Sequence, residues 1–431
     1  MKRTTLLLIL ILFCTFYQDF PLVNVFGEIA RTPIFLLVVP MLIYIFSHKN
    51  IVVSKYTKYF IYFIVYLFAI SAIHLVYIII INQKIVFLNE NIITKTIKIS
   101  IYPIVALIYY QFIYMFLKNG EDKLNALLKA ICVLQVFFLI FLIFEVYYLK
   151  TSTIFLPFLH ALPEKYWRVR LLTMEESYVG NVITFFVFIP VFLVNFLKKE
   201  KKIKRRVYFL SIFIFFIYTF VSESKGYSLL LLISVLPMVI NRIYQDPVLK
   251  KYFTIILPLL LVCSIFPIIA LHGIFIEELH SSITFGTRFT SYYSSIKVFL
   301  KHPFGVGWSG FVYFYPEEIR NSLDSSLMNG LNLSEIKVYM GTTKNLSTKT
   351  EFFDSLIYGG IGFLYFYYNV IIRKYKEISK IKNPVFFPVK VSLLFSILAG
   401  LTYINYTIKY EVWFLLAFID VIQNKYNNGS Q

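Results

Sequence analysis

The chain has 431 residues, of which 58% are hydrophobic, 19% aromatic and only 15% charged, with a mean hydropathy of +0.72. Soluble globular proteins are about 45–50% apolar and about 25% charged, so this composition excludes a cytosolic enzyme, a disordered protein and a nucleic-acid-binding module. The 42 basic residues exceed the 23 acidic ones, and in an integral membrane protein such an excess marks cytoplasmic loops. We therefore expect a chain embedded in the lipid bilayer, with no nucleic-acid partner.

The apolar segments predict an all-α, polytopic membrane bundle of about twelve helices. Crossing hydrocarbon takes roughly 17–25 mostly apolar residues in a helix, which satisfies its own backbone hydrogen bonds. The first segment follows Lys2 and Arg3 as a signal-peptide core would, but no small-x-small cleavage motif follows it, so we expect an uncleaved helix. The predicted helices are 4–17, 33–47, 59–82, 99–117, 125–149, 179–197, 207–222, 228–241, 253–271, 355–372, 387–405 and 411–424.

The basic residues predict the orientation of this bundle. With the N-terminus inside, most loop Lys and Arg residues fall on the cytoplasmic side, including the cluster at 198–206. The opposite orientation would place that cluster outside, which the positive-inside rule disfavours. We expect a bacterial inner-membrane protein with both termini in the cytoplasm.

One connection is much longer than the others. Residues 273–353 form an outer, periplasmic loop between the predicted transmembrane regions 1–272 and 354–431, and loops of this length are usually functional. Its charges nearly cancel. Apolar side chains recur at helical spacing from Phe289 to Leu300, and Pro303 ends that pattern. This predicts an amphipathic helix at the outer interface.

The sequence contains no motif that is typical of soluble enzymes. The sequence has no glycine-rich phosphate loop after a strand, no zinc-spaced His/Cys cluster and no Asp-x-Asp pair, so we expect neither cofactor nor metal. The cysteines lie within apolar runs and predict no disulfide framework. Three carboxylates lie near helix ends, where we expect them to reach polar headgroups: Glu145, Glu411 and Asp420.

Three short stretches share order and predicted sidedness with a known family. Gly286-Thr287-Arg288 opens the loop helix, and the run from Lys301 to Gly307 closes it. Here the chain resembles the Wzy-type O-antigen polymerase and O-antigen ligase superfamily, whose large periplasmic loop has a Gly-Arg-like start, a helix and Pro-x-Gly-x-Gly. In the outer loop 150–178, Arg170 followed by Glu176 and Ser177 is similar to the family's Arg then Glu-(Pro)-Ser pattern. The turn 222–226 occupies the place of its Ser-Arg turn.

Two positions depart from the family pattern. Lys225 stands where the family usually has Arg, which gives a point charge instead of a bidentate fork. The ligase branch has a His-Asn pair before a Gly-x-x-Gly helix, but Thr348 and Lys349 occupy those positions here. The missing histidine favours a polymerase over a ligase, and it leaves the general base unassigned.

The resemblance implies glycosyl transfer at the periplasmic face between oligosaccharide units linked to undecaprenyl diphosphate, and it leaves room for a chain-length regulator. The leaving lipid diphosphate needs fixed cations, which guanidinium groups supply well. The assigned diphosphate-binding residues are Arg170, Lys225, Arg288 and His302. The acceptor hydroxyl needs a base, for which Glu176 is the first choice and Glu351 or Asp354 the next.

Each assignment has a structural alternative. The arginines could contact headgroups or pack the loop, Lys225 could snorkel from a helix end, and His302 could be a turn residue before proline. Glu176 could simply pair with Arg170, while Glu351 and Asp354 could cap a helix.

Other functions also fit a polytopic chain of this kind. One is a ligase that transfers the finished chain to lipid A core. Another is a lipid-linked oligosaccharide flippase, for which we would expect short loops, internal repeats and charges within the spans. A third is a metal-dependent lipid-phosphate glycosyltransferase that uses Asp19 in the first outer loop.

Overall fold

A computed structural model describes residues 3–83, 85–87, 90–118, 120–151, 153–164, 167–245, 277, 280–340 and 346–429. Six helical segments in these ranges are long and apolar enough to cross a membrane: Lys55–Ile80, Ile92–Lys118, Glu121–Leu149, Glu176–Phe196, Glu351–Ser379 and Pro384–Thr402. Apolar side chains such as Phe46, Ile80 and Phe220 are largely exposed on the helices. Exposed apolar surface of this extent fits hydrocarbon and not water. The protein is thus a helical membrane protein.

The remaining elements are shorter or less apolar. The predicted helix 253–271 lies outside the described residues, and the other eleven predicted segments are helical. Further α-helices are Arg3–Phe16, Val23–Phe26, Ile34–Phe46, Lys201–Val221, Lys225–Gln245, Ile283–Lys301, Gly307–Leu323, Ser334–Tyr339 and Tyr410–Gly429. Short 3-10 turns are Glu28–Arg31, Pro157–Leu159, Glu176–Tyr178, Ser326–Met328, Pro384–Phe386 and Tyr406–Ile408.

Two very short strands form the β-structure in the described part of the chain. Val86–Phe87 pairs antiparallel with Glu90–Asn91, with Val86 opposite Asn91. This hairpin directly precedes the helix Ile92–Lys118.

The chain divides into two compact units, which differ from the predicted boundaries. The first unit comprises Met1–Ile64, Lys98–Leu232 and Tyr365–Gln431, and the second comprises Val65–Ile97 and Ile233–Leu364. The loop predicted at 273–353 therefore belongs to the second unit, together with part of the helix Lys55–Ile80 and most of the helix Glu351–Tyr367.

Aromatic packing forms the centre of the first unit. Phe16 lies 4.5 Å from Phe186 between ring centroids, and Phe138 lies 4.9 Å from Phe186. The buried Gln135 donates from its amide to the Phe186 carbonyl at 2.8 Å and to Ser211 Oγ at 3.0 Å. These hydrogen bonds satisfy a polar side chain that would otherwise be costly to bury.

The second unit has its own core under the helix Ile283–Lys301. That helix ends just before Pro303, as predicted. Its buried face, however, is the one that carries Thr290, Ser291, Ser294 and Ser295, while Ile296 and Leu300 on the apolar stripe are exposed. Small hydroxyl side chains allow close packing, and Thr290, Ser294 and Ser295 donate to the backbone carbonyls four residues earlier. The apolar core beside it consists of Val298, Val306, Phe311, Tyr315, Ile319, Ile336 and Ile357.

Candidate functional site

The Gly-Thr-Arg stretch lies in the first turns of the helix Ile283–Lys301, where the backbone at Asn332 packs against it. Ser282 caps this helix by accepting the Phe285 N–H at 3.2 Å. A Cβ at Gly286 would lie 2.2 Å from the Asn332 carbonyl oxygen, so only glycine lets the two backbones approach here. Thr287 donates to Glu335 Oε2 at 2.9 Å. These contacts fix the first turns of the helix and hence the position of Arg288.

Arg288 and Asp354 both lie close enough to Tyr292, one helical turn after the arginine, to interact with its hydroxyl electrostatically. The Tyr292 ring stacks on Phe353 with centroids 4.4 Å apart and an angle of 15° between the planes. Burial raises the pKa of the Tyr292 hydroxyl, the Arg288 guanidinium opposes that shift, and the Asp354 carboxylate adds to it. The second unit thus brings one predicted phosphate-binding cation and one predicted base to the same phenol.

The Asp354 carboxylate also binds the loop that precedes its helix. It is 1% exposed and accepts hydrogen bonds from Ser347 Oγ at 2.6 Å and from the Thr348 N–H at 2.7 Å. Thr348, where the ligase branch has histidine, is fully buried and bonded to Thr350. Glu351 is half-buried and accepts from Ser355 Oγ at 2.8 Å. Asp354 is thus held in a fixed orientation by groups from outside its own helix.

The Pro-Phe-Gly-Val-Gly run docks onto a break in the helix Glu351–Tyr367. Gly360 there has φ +51°, which interrupts the helix, and the Ile361 N–H donates to the Pro303 carbonyl at 2.8 Å. The Val306 N–H donates to the Ile357 carbonyl at 2.9 Å. A Cβ at Gly305 would lie 2.4 Å from the Tyr358 carbonyl oxygen. Since broken backbone at membrane depth must find partners within the protein, the motif supplies them.

His302 lies at the other end of the loop helix from Arg288. At 1.5 Å per residue, the two are about 20 Å apart along the axis, too far to hold one diphosphate. The His302 ring lies 4.4 Å from Phe314 and 5.7 Å from His74 between centroids. Burial lowers the pKa of His302, and Lys301 lowers it further. The structure therefore groups His302 with an aromatic cluster and not with the other candidate residues of this unit.

In the first unit, Arg170 is buried in an ion pair with Asp19. The guanidinium is 2% exposed, and its Nη1 lies 3.3 Å from Asp19 Oδ2. Its Nη2 donates to the Leu162 carbonyl at 3.0 Å. The Arg170 and Leu171 N–H groups both donate to the Glu145 carboxylate at 2.8 Å. Glu145 thus binds the protein backbone, where the sequence analysis expected it to reach headgroups.

Asp19 is shared by several basic side chains. His160 Nδ1 lies 3.0 Å from Oδ2, and Arg31 Nη1 lies 3.8 Å from Oδ1. Arg31 is in turn paired with Glu28. The carboxylate that a metal-dependent transferase would use is therefore surrounded by basic groups. A small cavity of about 20 Å³ adjoins His160 and Arg170, and a space of this size holds about one water molecule.

A second buried polar network lies at the start of the helix Tyr410–Gly429. Glu411 is 2% exposed and accepts from Gln18 Nε2 at 2.8 Å and from Asn181 Nδ2 at 3.0 Å. Lys409 Nζ donates to Gln18 Oε1 and lies 3.4 Å from the Tyr178 ring centroid. Burial lowers the pKa of Lys409. The expectation that Glu411 reaches headgroups is wrong, because the amides of Gln18 and Asn181, from two other segments, offset its burial.

The last two predicted residues also lie in the first unit. Glu176 is half-buried at the first position of its 3-10 turn, and Arg168 and Arg170 both interact with it electrostatically. Lys225 is exposed at the first position of the helix Lys225–Gln245. Behind it, Tyr227 packs against Gly180, where a Cβ would lie 2.6 Å from the ring. This unit therefore brings Arg170 close enough to Glu176 for an electrostatic interaction and presents Lys225 at its surface.

Sequence reasoning missed Tyr292 as a site residue and Asp19 as a partner of Arg170. The spacing of four between Arg288 and Tyr292 places both on one helix face and was a usable signal. Nothing local in the sequence pairs Asp19 with a residue 151 positions away. Among the described residues, no group of three or more His, Cys, Asp or Glu side chains is arranged to hold a metal ion. No protein-family model, curated protein or solved structure matches the chain.

Proposed function

We propose that the protein is a membrane glycosyltransferase that joins oligosaccharide repeat units carried on undecaprenyl diphosphate. The observation that carries the proposal is the packing of the Arg288 helix against the start of the Asp354 helix, where Tyr292 stacks on Phe353 and both charged residues interact with Tyr292 electrostatically. Both residues have the chemistry that such a transfer requires, and both lie in or beside the long loop whose motifs resemble those of the polymerase family. The finer topology belongs to the same proposal: about twelve spans, a periplasmic loop 273–353, and cytoplasmic termini in an inner membrane.

The reaction forms one glycosidic bond and breaks one. A hydroxyl oxygen of the acceptor unit attacks the anomeric carbon of the donor, and the bond from that carbon to the diphosphate oxygen breaks. The hydroxyl proton passes to a carboxylate, for which Asp354 is the best-oriented residue in this unit. Negative charge develops on the leaving diphosphate, and the Arg288 guanidinium can bind two of its oxygens at once.

Arg170 cannot offer its whole guanidinium to a phosphate, because it is already bound within the protein. Its guanidinium already contacts Asp19 and the Leu162 carbonyl, which leaves only part of its donor set for a ligand. In this proposal Arg170 contributes positive potential and holds the turn before Glu176 in place. Of the two cations assigned in the first unit, exposed Lys225 is more accessible than buried Arg170.

One observation favours the flippase as a second candidate. Lys374 Nζ lies 2.6 Å from Asp420 Oδ1, and both side chains are buried between helices. Charged residues within membrane-spanning helices are typical of transport pathways. The sequence analysis expected Asp420 to reach headgroups, and the structure overturns that expectation.

The decisive experiment uses purified protein in proteoliposomes with a defined undecaprenyl-diphosphate-linked repeat unit. A ladder of products longer than one unit supports the polymerase. Movement of the unit across the bilayer without new glycosidic bonds would refute it and support the flippase. Addition of a lipid A core acceptor tests the ligase, which should yield a single transferred chain instead of a ladder.

A further inference from the structure

A polar cavity of about 320 Å³ lies in the first unit, and no residue assigned to the polymerase reaction lines it. It is formed by the start of the helix Lys55–Ile80, the last turns of Ile92–Lys118, the end of Arg373–Ser379 and the second half of Tyr410–Gly429. Its lining is Ser54, Lys55, Tyr56, Tyr114, Glu377, Ile381, Asp420, Gln423, Asn424 and Asn427. Its volume falls at the lower end of the range for small-molecule sites.

Asp420 is 3% exposed in this lining, and its hydrogen-bond partners fix its orientation. Lys374 Nζ lies 2.6 Å from Asp420 Oδ1 and also donates to the Leu416 carbonyl at 2.8 Å. The Ser54 hydroxyl donates to Asp420 Oδ2 at 3.2 Å, and the Tyr110 hydroxyl donates to the same oxygen. Lys374 is fully buried and supplies the charge that balances this carboxylate.

Glu377, the other carboxylate of the lining, is held by its partners in a similar way. It accepts from the Tyr56 hydroxyl at 2.6 Å, and Arg373 Nε lies 3.0 Å from its other oxygen. Each of the two carboxylates in the lining is thus oriented by a phenol and balanced by its own cation.

This charge arrangement selects the class of ligand. A cationic ligand would find both carboxylates already neutralised by Lys374 and Arg373, and Lys55 would repel it. An anion would find Lys374 and Arg373 already paired with the carboxylates, which leaves exposed Lys55 as its single cation among the described residues of the lining. A neutral, polar ligand needs no unpaired charge. The hydrogen-bonding groups of the lining favour such a ligand, since they combine carboxylate acceptors with hydroxyl and amide groups that both donate and accept.

We propose that this cavity binds a neutral polyhydroxylated ligand of the size of one sugar ring. Adjacent hydroxyls can donate to the oxygens of Asp420 and Glu377, while the amides of Gln423, Asn424 and Asn427 donate to and accept from the remaining hydroxyls. The basic residues nearby predict that this end of the protein faces the cytoplasm. The inference is independent of the polymerase proposal, because it concerns other residues and requires no bond to form.

The test measures binding of methyl α-glucoside, methyl α-galactoside and N-acetylglucosamine by saturation-transfer NMR and calorimetry. The protein is held in lipid nanodiscs, because maltoside detergents carry sugar headgroups that would compete. We expect saturable binding of at least one of these sugars, and none of spermidine or inorganic phosphate at the same concentration. Absence of saturable sugar binding, or binding of spermidine or phosphate in its place, overturns the proposal.

Matched variants locate the binding. Asn427→Leu changes an exposed amide of the lining, and Asn424→Leu also removes the hydrogen bond that Asn424 donates to the Tyr114 hydroxyl at 3.3 Å. Both should weaken sugar binding about tenfold, which is about 1.4 kcal/mol, and Asn427→Leu should do so without lowering the unfolding temperature. Asn125→Leu is the control, since Asn125 donates to the Glu121 carbonyl of its own helix and does not line the cavity. If the lining variants bind the sugar as tightly as the control, the ligand occupies another place and the proposal fails.

Discussion

Arg170 Nη1 lies 3.3 Å from Asp19 Oδ2, with both side chains almost completely shielded from solvent. Removing one partner of a buried ion pair costs about 3–5 kcal/mol when the remaining charge has no other partner. Arg31 and His160 also lie beside Asp19, so we expect a loss below that range for Arg170. We therefore expect Arg170→Ala to lower the unfolding temperature markedly and to stop chain elongation as well. Differential scanning fluorimetry and a sugar ladder on a gel measure the two effects.

Two further variants separate the ion pair from a general effect of charge. Arg168→Ala removes a half-buried guanidinium that stacks on Trp167, with Cζ 3.6 Å from the ring centroid, and should leave the unfolding temperature nearly unchanged. Arg170→Lys keeps a positive charge beside Asp19 and should unfold at a higher temperature than Arg170→Ala. An Arg170→Ala protein as stable as wild type would contradict the structural role.

Arg288→Ala should abolish elongation while the protein stays inserted and folded. Loss of a cation that stabilises a leaving group typically costs on the order of 10²–10³ in rate. Arg288→Lys keeps the charge without the bidentate fork and should be intermediate. Arg320→Ala is the matched control, since Arg320 is exposed in the last turns of the neighbouring helix. Normal chain lengths from Arg288→Ala in a deletion strain would refute the assignment.

Asp354→Asn should reduce the transfer rate by about 10²-fold or more, since an amide cannot take the acceptor proton. Glu351→Gln is the corresponding change at the half-buried carboxylate one turn earlier, and we expect it to keep most activity. Initial rates with saturating lipid-linked unit measure both variants. If Glu351→Gln is the inactive one, the base is Glu351 and the assignment of Asp354 is wrong.

Gly360→Ala should prevent correct folding of the second unit. The residue has φ +51°, and a Cβ there would lie 2.1 Å from the Pro303 carbonyl oxygen, so both backbone strain and a clash with backbone result. Gly226→Ala is the control, because its nearest neighbour would be a Tyr403 ring atom at 3.9 Å. Gel-filtration profiles and protease resistance measure folding. A monodisperse, protease-resistant Gly360→Ala protein would show that the break is not required.

His302 should make the protein less stable in mild acid. Burial and the adjacent Lys301 lower the pKa of His302 in the folded state, so the unfolded chain binds the proton more readily. Stability is then fully present above the unfolded pKa of about 6.5 and declines as the pH falls through the lower folded value. Comparing unfolding temperatures at pH 7.5 and 5.5 should give a smaller acid effect for His302→Gln than for wild type. Equal acid effects would contradict this.

Much of the loop architecture followed from local sequence. Pro303 cannot continue a helix, and the helix Ile283–Lys301 ends just before it. Gly305 and Gly307 follow in the run that closes this helix, and both have positive φ, which glycine adopts without strain. The buried face of that helix was not predicted, because hydrophobic spacing suggests which face avoids water, and in a membrane protein lipid can cover the apolar side instead of a protein core.

The amino-acid sequence by itself determined that this is a helical membrane protein, because hydrocarbon admits long apolar segments only when they satisfy their own backbone hydrogen bonds. Only the tertiary structure decided which charges are buried and with whom. Asp19 meets Arg170, Gln18 meets Glu411, and Lys374 meets Asp420 across gaps of tens to hundreds of residues. Helical periodicity fixes neighbours within one helix, but it contains no information on which distant helices come into contact.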